Sequence, residues 1–549
     1  MPSTPYETHE VYNQPPPPPP RNAFETDPIL YGALEPTLDD VAEDLLTRHG
    51  AFWGSLEARE LARLADQNPP RLRTHDAQGR RTDLVEYHPA WHALMRRSAE
   101  AGLGAGVPDR ALADEVGRAF TLRAARIFLA AQSEASHLLA WSATAAAGPS
   151  LAGTPELAAP WFDGTAARRY DHRAVPAAGK AGLTVSIAYT EKQGGIAAVD
   201  TTTVAARQEG RRYRLTGHKW FVAAPMADAA MVLAAAPDGP SAFLVPRFRE
   251  DATLNAVRIQ RLKPTLGLRA LGVAEVEYAE AEGLLIGAEG DGTRLFTEAL
   301  QCLQHDAATI AAGLMRGAVA QAAHHVRHRT VSGQRLLDQP LMARVLADAA
   351  LDVAGATALT IRIGLARDRS DIDPIEDAYW KLMTLAARYW IGKIAPSVAA
   401  ECAECVGGNG YVEESEAGRA LRDAPAFAWW GGAGNQIALE LIALLDSAPA
   451  VLDAALTEFE KDLGREAGTS LDVIRGAAAA CAEDQGSARI LIEQLALTGA
   501  AAALHRFAPR AIADAFLDTR LSGAWRASYG MLDGRYDASG IVDYAYPGV

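Results

Sequence analysis

Gly182-Leu-Thr-Val-Ser-Ile-Ala-Tyr-Thr-Glu-Lys-Gln-Gly-Gly195, followed by Tyr213-Arg-Leu-Thr216, Ala230-Met-Val-Leu-Ala234 and Ala242-Phe-Leu-Val245, decides the fold class of this chain. These are short apolar or β-branched runs separated by Gly, Pro, Asp and Asn, the pattern of strands and turns. They predict a β-domain over residues 182–286. On both sides the period changes. From Asp39 to about Ala147, Leu, Ala and Val recur at three- and four-residue spacing, broken at Asn68-Pro-Pro70 and Asp76-Ala-Gln-Gly79, which predicts a helical domain over 38–181. After Gly287, Ala/Leu-rich periodicity in Thr293–His328, Gln339–Arg367, Asp377–Cys405 and Asn435–Leu456 predicts a second helical domain over 287–448. Leu471–Leu521 predicts a helical C-terminal domain over 449–549. Strands grouped between helical blocks argue against a parallel α/β sheet.

At 549 residues the chain exceeds what one hydrophobic core organises. Apolar residues make up 49% and charged residues 22%, a globular balance, and no run approaches eighteen consecutive apolar residues, so no membrane span is expected. Met1–Tyr12 lacks a basic flank ahead of an apolar stretch, which makes the cytoplasm the expected compartment. Cys302, Cys402, Cys405 and Cys481 are too sparse for a disulfide framework, and the single C-x-x-C lacks the second pair of a zinc ribbon; they read as buried helical thiols. His324, His325 and His328 share helical spacing without a matching carboxylate, so they read as a solvated or interface face and no metal is expected. Pro15–Pro20 must adopt polyproline II, which makes residues 1–37 an extended arm lying across a neighbouring domain or subunit, with a ligand for a proline-binding module as the alternative. Neither G-x-G-x-x-G after a strand nor a P-loop motif is present, so any nucleotide is held in another way.

The segments Tyr189-Thr-Glu-Lys-Gln-Gly-Gly195 and Leu215-Thr-Gly-His-Lys-Trp-Phe221 resemble the β-domain signature of acyl-CoA dehydrogenases, where a T-E-x-x-x-G loop and a G-x-K strand flank a flavin. His9-Glu-Val-Tyr-Asn-Gln-Pro-Pro16, Asn68-Pro-Pro70 with Asp76-Ala-Gln-Gly-Arg-Arg81, His88-Pro-Ala-Trp-His92, Gln339-Pro-Leu-Met342 and Gly407-Gly-Asn-Gly-Tyr-Val-Glu-Glu-Ser415 resemble the alkylation-response branch of that family. Together they cover nearly the whole chain. The resemblance implies a mainly α fold with a central β-barrel domain: a helical domain, the barrel, a four-helix-bundle domain and a C-terminal helical extension. It also implies FAD, a homotetramer, an acyl or other small-molecule substrate and, for the extension, a contact with DNA. In the family a carboxylate removes the α-proton of an acyl thioester while hydride passes from the β-carbon to flavin N5.

Residue by residue, the match thins at the site. The family's base stands in W-E-G-[ST]; here the segment reads Trp430-Gly-Gly-Ala-Gly-Asn435, and Gly431 takes the glutamate's place. Glycine has no proton acceptor, and a positioned general base is worth about 10²- to 10⁴-fold in rate. The base position that some members use instead, one residue before an arginine, falls on Leu303 and Gln304. His305 and Asp306 follow as candidate catalytic substitutes, the histidine because it titrates near neutrality; the competing reading is a satisfied core histidine beside a structural aspartate. Ala223 stands where a Ser/Thr hydroxyl approaches flavin N5, and Ile196, Ala197 and Ala433 replace other polar contacts. An Arg-x-x-Phe-Gly element that reaches FAD across a subunit boundary reads Arg329-Thr-Val-Ser-Gly333. The candidate cofactor contacts are Thr190, Gly195, Phe221, Ala223, Arg329, Gly333, Gly407, Gly408 and Asn435.

A formal charge of −15 opposes general attraction to nucleic acid, and Arg506, Arg510, Arg520, Arg526 and Arg535 are dispersed among more numerous acids, so a DNA contact is disfavoured. The leading expectation is a flavoprotein oxidoreductase whose ordinary dehydrogenation is weak, altered or lost. The alternative is a non-catalytic scaffold or a DNA-associated protein of alkylation-response type.

Overall fold

The computed structural model describes residues 8–105, 117–194, 200–521 and 535–547. The N-terminal arm turns at residues 23–26 and enters a helix after Asp27. There the Asp27 carboxylate accepts from Leu30 N at 3.1 Å, Pro28 occupies the first helical position, and Ile29, Leu30, Ala33 and Leu34 bury, so Pro28–Leu34 is helical where the sequence suggested extended chain to residue 37. Arg59 donates to Pro18 O at 2.7 Å and His324 Nε2 meets Pro16 O at 2.8 Å. The proline run thus straps helix Leu56–Gln67 to helix Gly292–His328 within one chain. His324 is buried beneath it, while His325 is half-buried and His328 exposed.

Helices Asp40–Trp53, Leu56–Gln67, Pro89–Glu100, Ala119–Ala131 and Ser136–Ala152 form the first layer. The turn-rich break in this layer is a hairpin, β1 (Arg71–His75) with β2 (Arg81–Glu86). Asp76 shapes its turn by accepting from Gln78 N and Arg80 N, both at 2.9 Å.

Next come β3 (Val185–Ala188), β4 (Val204–Arg207), β5 (Arg212–Ala223), β6 (Ala229–Ala236), β7 (Gly239–Pro246), β8 (Val257–Leu262) and β9 (Val273–Ile286). β6 pairs with β4 on one side and β7 on the other, and β4, β5, β9 and β7 complete the circuit, so the sheet closes into a barrel. β3 joins β6 in parallel, and β8 joins β9. Tyr213, Leu215, Val232, Phe243, Val276 and Tyr278 pack together in its core.

Helices Gly292–His328, Pro340–Arg369, Pro374–Cys405 and Gly434–Ser447 make the bundle, with Cys402 and Cys405 as buried helical thiols. Pro340–Arg369 is long and apolar enough to cross a membrane, but its apolar window is buried in the fold. Small residues set the spacing. A Cβ on Gly313 would lie 2.4 Å from Phe128 O, and one on Gly317 would lie 2.5 Å from Gln132 O, so Gly292–His328 runs at backbone contact with helix Ala119–Ala131 and the turn after it. Helices Ala450–Leu463, Gly468–Glu483, Ala488–Phe507 and Arg510–Arg520 form the C-terminal extension. Buried ion pairs stitch it to the bundle: Arg520 reaches Asp348 (2.7 Å) and Asp352 (2.8 Å), and Arg362, paired within the bundle to Glu376 (2.7 Å), reaches Glu458 (3.0 Å).

Gly313→Ala should lower stability by about 1–3 kcal/mol through overpacking, read as a lower urea midpoint at unchanged slope. An unchanged midpoint would show that the two helices part without cost.

Candidate functional site

The loop leaving β3 is tied down before it reaches the site. Thr190 O accepts from Trp220 N at 2.8 Å. Glu191 is buried, and its carboxylate accepts from Lys219 Nζ (2.8 Å), Thr203 Oγ1 (2.6 Å), Thr201 Oγ1 (2.7 Å) and Thr202 N (2.8 Å). Burial alone would raise its pKa; Lys219 and the threonine donors outweigh that and hold it well below the ordinary 4.5. Phe221, on β5, is 52% exposed, with Lys263 Nζ 4.6 Å from its ring centroid. The adjoining Trp220 ring has Lys263 at 3.3 Å, Lys192 at 5.1 Å and Arg261 at 5.9 Å. An aromatic face and a cluster of cations therefore stand beside the pinned Thr190. Ala223, two residues on, is buried and offers no hydroxyl. Gly195, Ile196 and Ala197 lie outside the described residues.

The segment Trp430–Gly432 is held by a second buried cation. Arg388 Nε donates to Trp430 O at 2.9 Å and its Nη2 to Gly432 O at 3.4 Å. Burial brings this guanidinium down to about 9, with Glu440 opposing the shift. Gly431 and Gly432 adopt φ of +74° and +123°, the left-handed region that favours glycine. Gln304 Nε2 donates to Gly431 O at 3.1 Å and to Glu440 Oε2 at 2.7 Å. Glu440 is half-buried on helix Gly434–Ser447, and burial pushes its pKa up against the hydrogen bonds of Gln304 and Gln436 and the charge of Arg388. Sequence reasoning missed both Glu440 and Arg388. The signal was there in the helical runs Ile437-Ala-Leu-Glu-Leu-Ile442 and Leu385-Ala-Ala-Arg-Tyr-Trp-Ile391, each with one charge among apolar and aromatic neighbours.

The other candidates have other partners. His305 is buried, with Nε2 3.0 Å from Thr360 O and its ring edge-on to Trp380 at 5.4 Å; burial lowers its pKa. Asp306 is clamped by Arg123 at 2.6 and 2.8 Å. Successive helical residues turn by about 100°, so with Gln304 directed at Gly431 these two side chains are engaged in the core instead. Arg329 donates to Asn13 O of the arm, and Gly333 (φ +79°) turns the small hairpin from Thr330 to Arg335. Arg329 lies 25 positions beyond Gln304, roughly 37 Å along the chain at helical rise, so one subunit does not bring it to Thr190 and Gly431. Gly407 (φ +72°) follows helix Pro374–Cys405, and no described residue would crowd a Cβ at Gly407 or Gly408. Asn435 Oδ1 accepts from Arg489 Nε of the extension at 2.8 Å.

A cavity of about 370 Å³ lies between the first helical layer and the barrel, walled by Tyr87, Trp91, His92, Tyr170, His172 and Ala224. Burial and the neighbouring His172 lower His92 to about 4, which leaves it neutral at physiological pH. Neither Gly292–His328 nor Gly434–Ser447 contributes to its lining, so it is separate from the Gly431 segment.

Three family patterns match the chain in order: the adaptive response protein AidB N-terminal domain over residues 13–172, the acyl-CoA dehydrogenase middle domain over 186–281, and the acyl-CoA dehydrogenase C-terminal domain over 290–444. The chain is 38% identical to the putative acyl-CoA dehydrogenase AidB of Escherichia coli K12, across 94% of this chain and 95% of that one. It is 30% identical to acyl-CoA dehydrogenase family member 11 of Caenorhabditis elegans, across 81% and 74%. The crystal structure of C. elegans ACDH-11 in complex with C11-CoA superposes with a TM-score of 0.85 at 24% identity, covering 95% of each chain. An acyl-CoA dehydrogenase of Bacillus anthracis complexed with FAD shares the fold at a TM-score of 0.66 and 16% identity, covering 93% and 85%.

Glu191→Gln leaves Lys219 buried without its counter-charge and should cost about 3–5 kcal/mol in a denaturant titration at neutral pH. Because the folded-state pKa of Glu191 is depressed, its contribution is complete above the ordinary 4.5 and is lost as pH falls below it. The variant should therefore lose less stability than the wild type on acidification, and parallel acid profiles would refute this assignment.

Proposed function

Because the chain belongs to the acyl-CoA dehydrogenase family, in its AidB-like branch, we propose that it is an FAD-dependent oxidoreductase acting on acyl thioesters, with dehydrogenation slowed by the loss of the base at position 431. The observation that carries the second half is the Trp430–Gly432 segment: it is fixed by Arg388, it is glycine at the decisive position, and its backbone sits at φ +74°. The residues present fit a flavin in part. Phe221 offers an open ring face, Lys192 offers positive charge to phosphates beside Arg261 and Lys263, which share Glu275, and the Glu191–Lys219 pair keeps the Thr190 backbone in place. Ala223 supplies no hydrogen bond to the ring. When bound, FAD would supply the hydride acceptor; the chain's own task is to orient the thioester, exclude water and take the α-proton.

A homotetramer in the cytoplasm belongs to the same reading. Support for assembly comes from exposed Val331, Leu341 and Tyr411 and from the open Gly407-Gly408 turn. The extension is read as part of the enzyme rather than a DNA contact because its arginines meet the chain's own carboxylates: Arg520 is buried against Asp348 and Asp352, Arg510 lies 3.0 Å from Asp514, and Arg535 lies 3.5 Å from Asp518. Arg526 lies outside the described residues.

Purified protein supplied with FAD should show a bound oxidised-flavin spectrum, and Phe221→Ala should weaken FAD binding about tenfold, the equivalent of about 1.4 kcal/mol. Anaerobic bleaching by C11-CoA should be slow. Gly431→Glu should accelerate it while costing about 1–2 kcal/mol of stability for a side chain at positive φ. A colourless protein that takes up no FAD would sink the proposal.

A further inference from the structure

We infer that Glu440 is the proton acceptor that stands in for the missing carboxylate at position 431, presented to the site by Gln304. The inference rests on the acyl-thioester reading above and assigns the residue that does the work there. Among the described residues, chain neighbours aside, the one atom within 4 Å of a Cβ built on Gly431 is Gln304 Cγ, at 3.4 Å. Gln304 runs through the place where a base on residue 431 would hang, and its terminal amide joins Gly431 O (3.1 Å) to Glu440 Oε2 (2.7 Å). An amide NH₂ has two hydrogens, and these two acceptors use both. A carboxylate oxygen therefore lies one amide away from the segment that normally carries the base, on the helix that this segment starts.

Its surroundings suit a base better than a structural ion. Asp306 and Glu191 are locked to Arg123 and Lys219, whereas Glu440 has the neutral amides of Gln304 and Gln436 as its hydrogen-bonding partners. The nearby cation, Arg388, turns its guanidinium to the carbonyls of Trp430 and Gly432. Burial, and after it the charge of Glu440, raise the pKa of Tyr189, the residue before Thr190. Burial raises the pKa of Glu440 and with it its basicity. In the step itself the α C–H bond breaks, the electron pair delocalises into the thioester carbonyl, and the proton passes to the Glu440 carboxylate. Without net oxidation, solvent returns a proton and the observable is exchange.

Full-length protein carrying FAD is incubated with C11-CoA, and separately with butyryl-CoA, in D₂O; α-deuterium is read by mass spectrometry and binding by calorimetry. Wild type should exchange, faster as pH rises through a pKa above the ordinary 4.5. Glu440→Gln should bind but lose exchange about 10²- to 10⁴-fold, and Glu440→Asp should retain part of it. Binding with undiminished exchange in Glu440→Gln, or binding without exchange in wild type, overturns this inference alone. Failure of wild type to bind either thioester overturns the functional reading beneath it.

Discussion

The site depends on how closely one helix lies against its neighbour. Gly292–His328 approaches Ala119–Ala131 to backbone contact because Gly313 and Gly317 have no Cβ to hold Phe128 O and Gln132 O away. Packed interiors are close to crystalline density, so this approach fixes the helix rather than merely guiding it. With the helix fixed, Gln304 reaches the Gly431 segment, Asp306 meets Arg123, and Arg316 reaches back to Asp27 at 2.8 Å. Bulk at either glycine would move all three contacts together, although they serve different parts of the molecule.

Much of the architecture was legible in the sequence for a plain physical reason. Period-2 and period-3.6 patterns report which faces are buried, and the order helical, β, helical, helical follows from where one period replaces the other. Barrel closure was not legible in that way, since it depends on β6 pairing with both β4 and β7, a relation between distant segments that only the family resemblance implied. Short turns carry less of this signal. Asp76-Ala-Gln-Gly79, a break by composition, is the turn of a hairpin, and Asp27-Pro28, expected within the arm, is a helix start. In both cases the chemistry was visible, an Asx turn and an N-cap followed by proline, but short elements have too few residues for a period to show.

At the site, sequence reading worked by substitution and so could see only what was gone. Set against the family motif, Gly431 is expected in place of a glutamate and Ala223 in place of a hydroxyl. His305 and Asp306 are candidates for compensation through adjacency in the chain, the one distance a sequence offers. The fold measures distance differently: Glu440, nine positions after Gly431 and 136 after Gln304, is the carboxylate that Gln304 hydrogen-bonds. The positive φ of Gly431 and Gly432 also gives glycine a backbone reason to stand there, since the chain takes a turn that a side chain would strain.

The proline strap has a consequence for the order in which the chain can be assembled. Pro16 leaves the ribosome well before the histidine that meets its carbonyl, which comes 308 positions later. At a synthesis rate of about 5–20 residues per second, Arg59 can meet Pro18 O within about ten seconds, but the contact with His324 waits roughly fifteen seconds to a minute. A polyproline segment is suited to that wait, because it is already stiff, exposes no unpaired N–H and cannot be drawn into a wrong helix or sheet. The last seal on the N-terminal half is thus set only after the first helix of the bundle has been made.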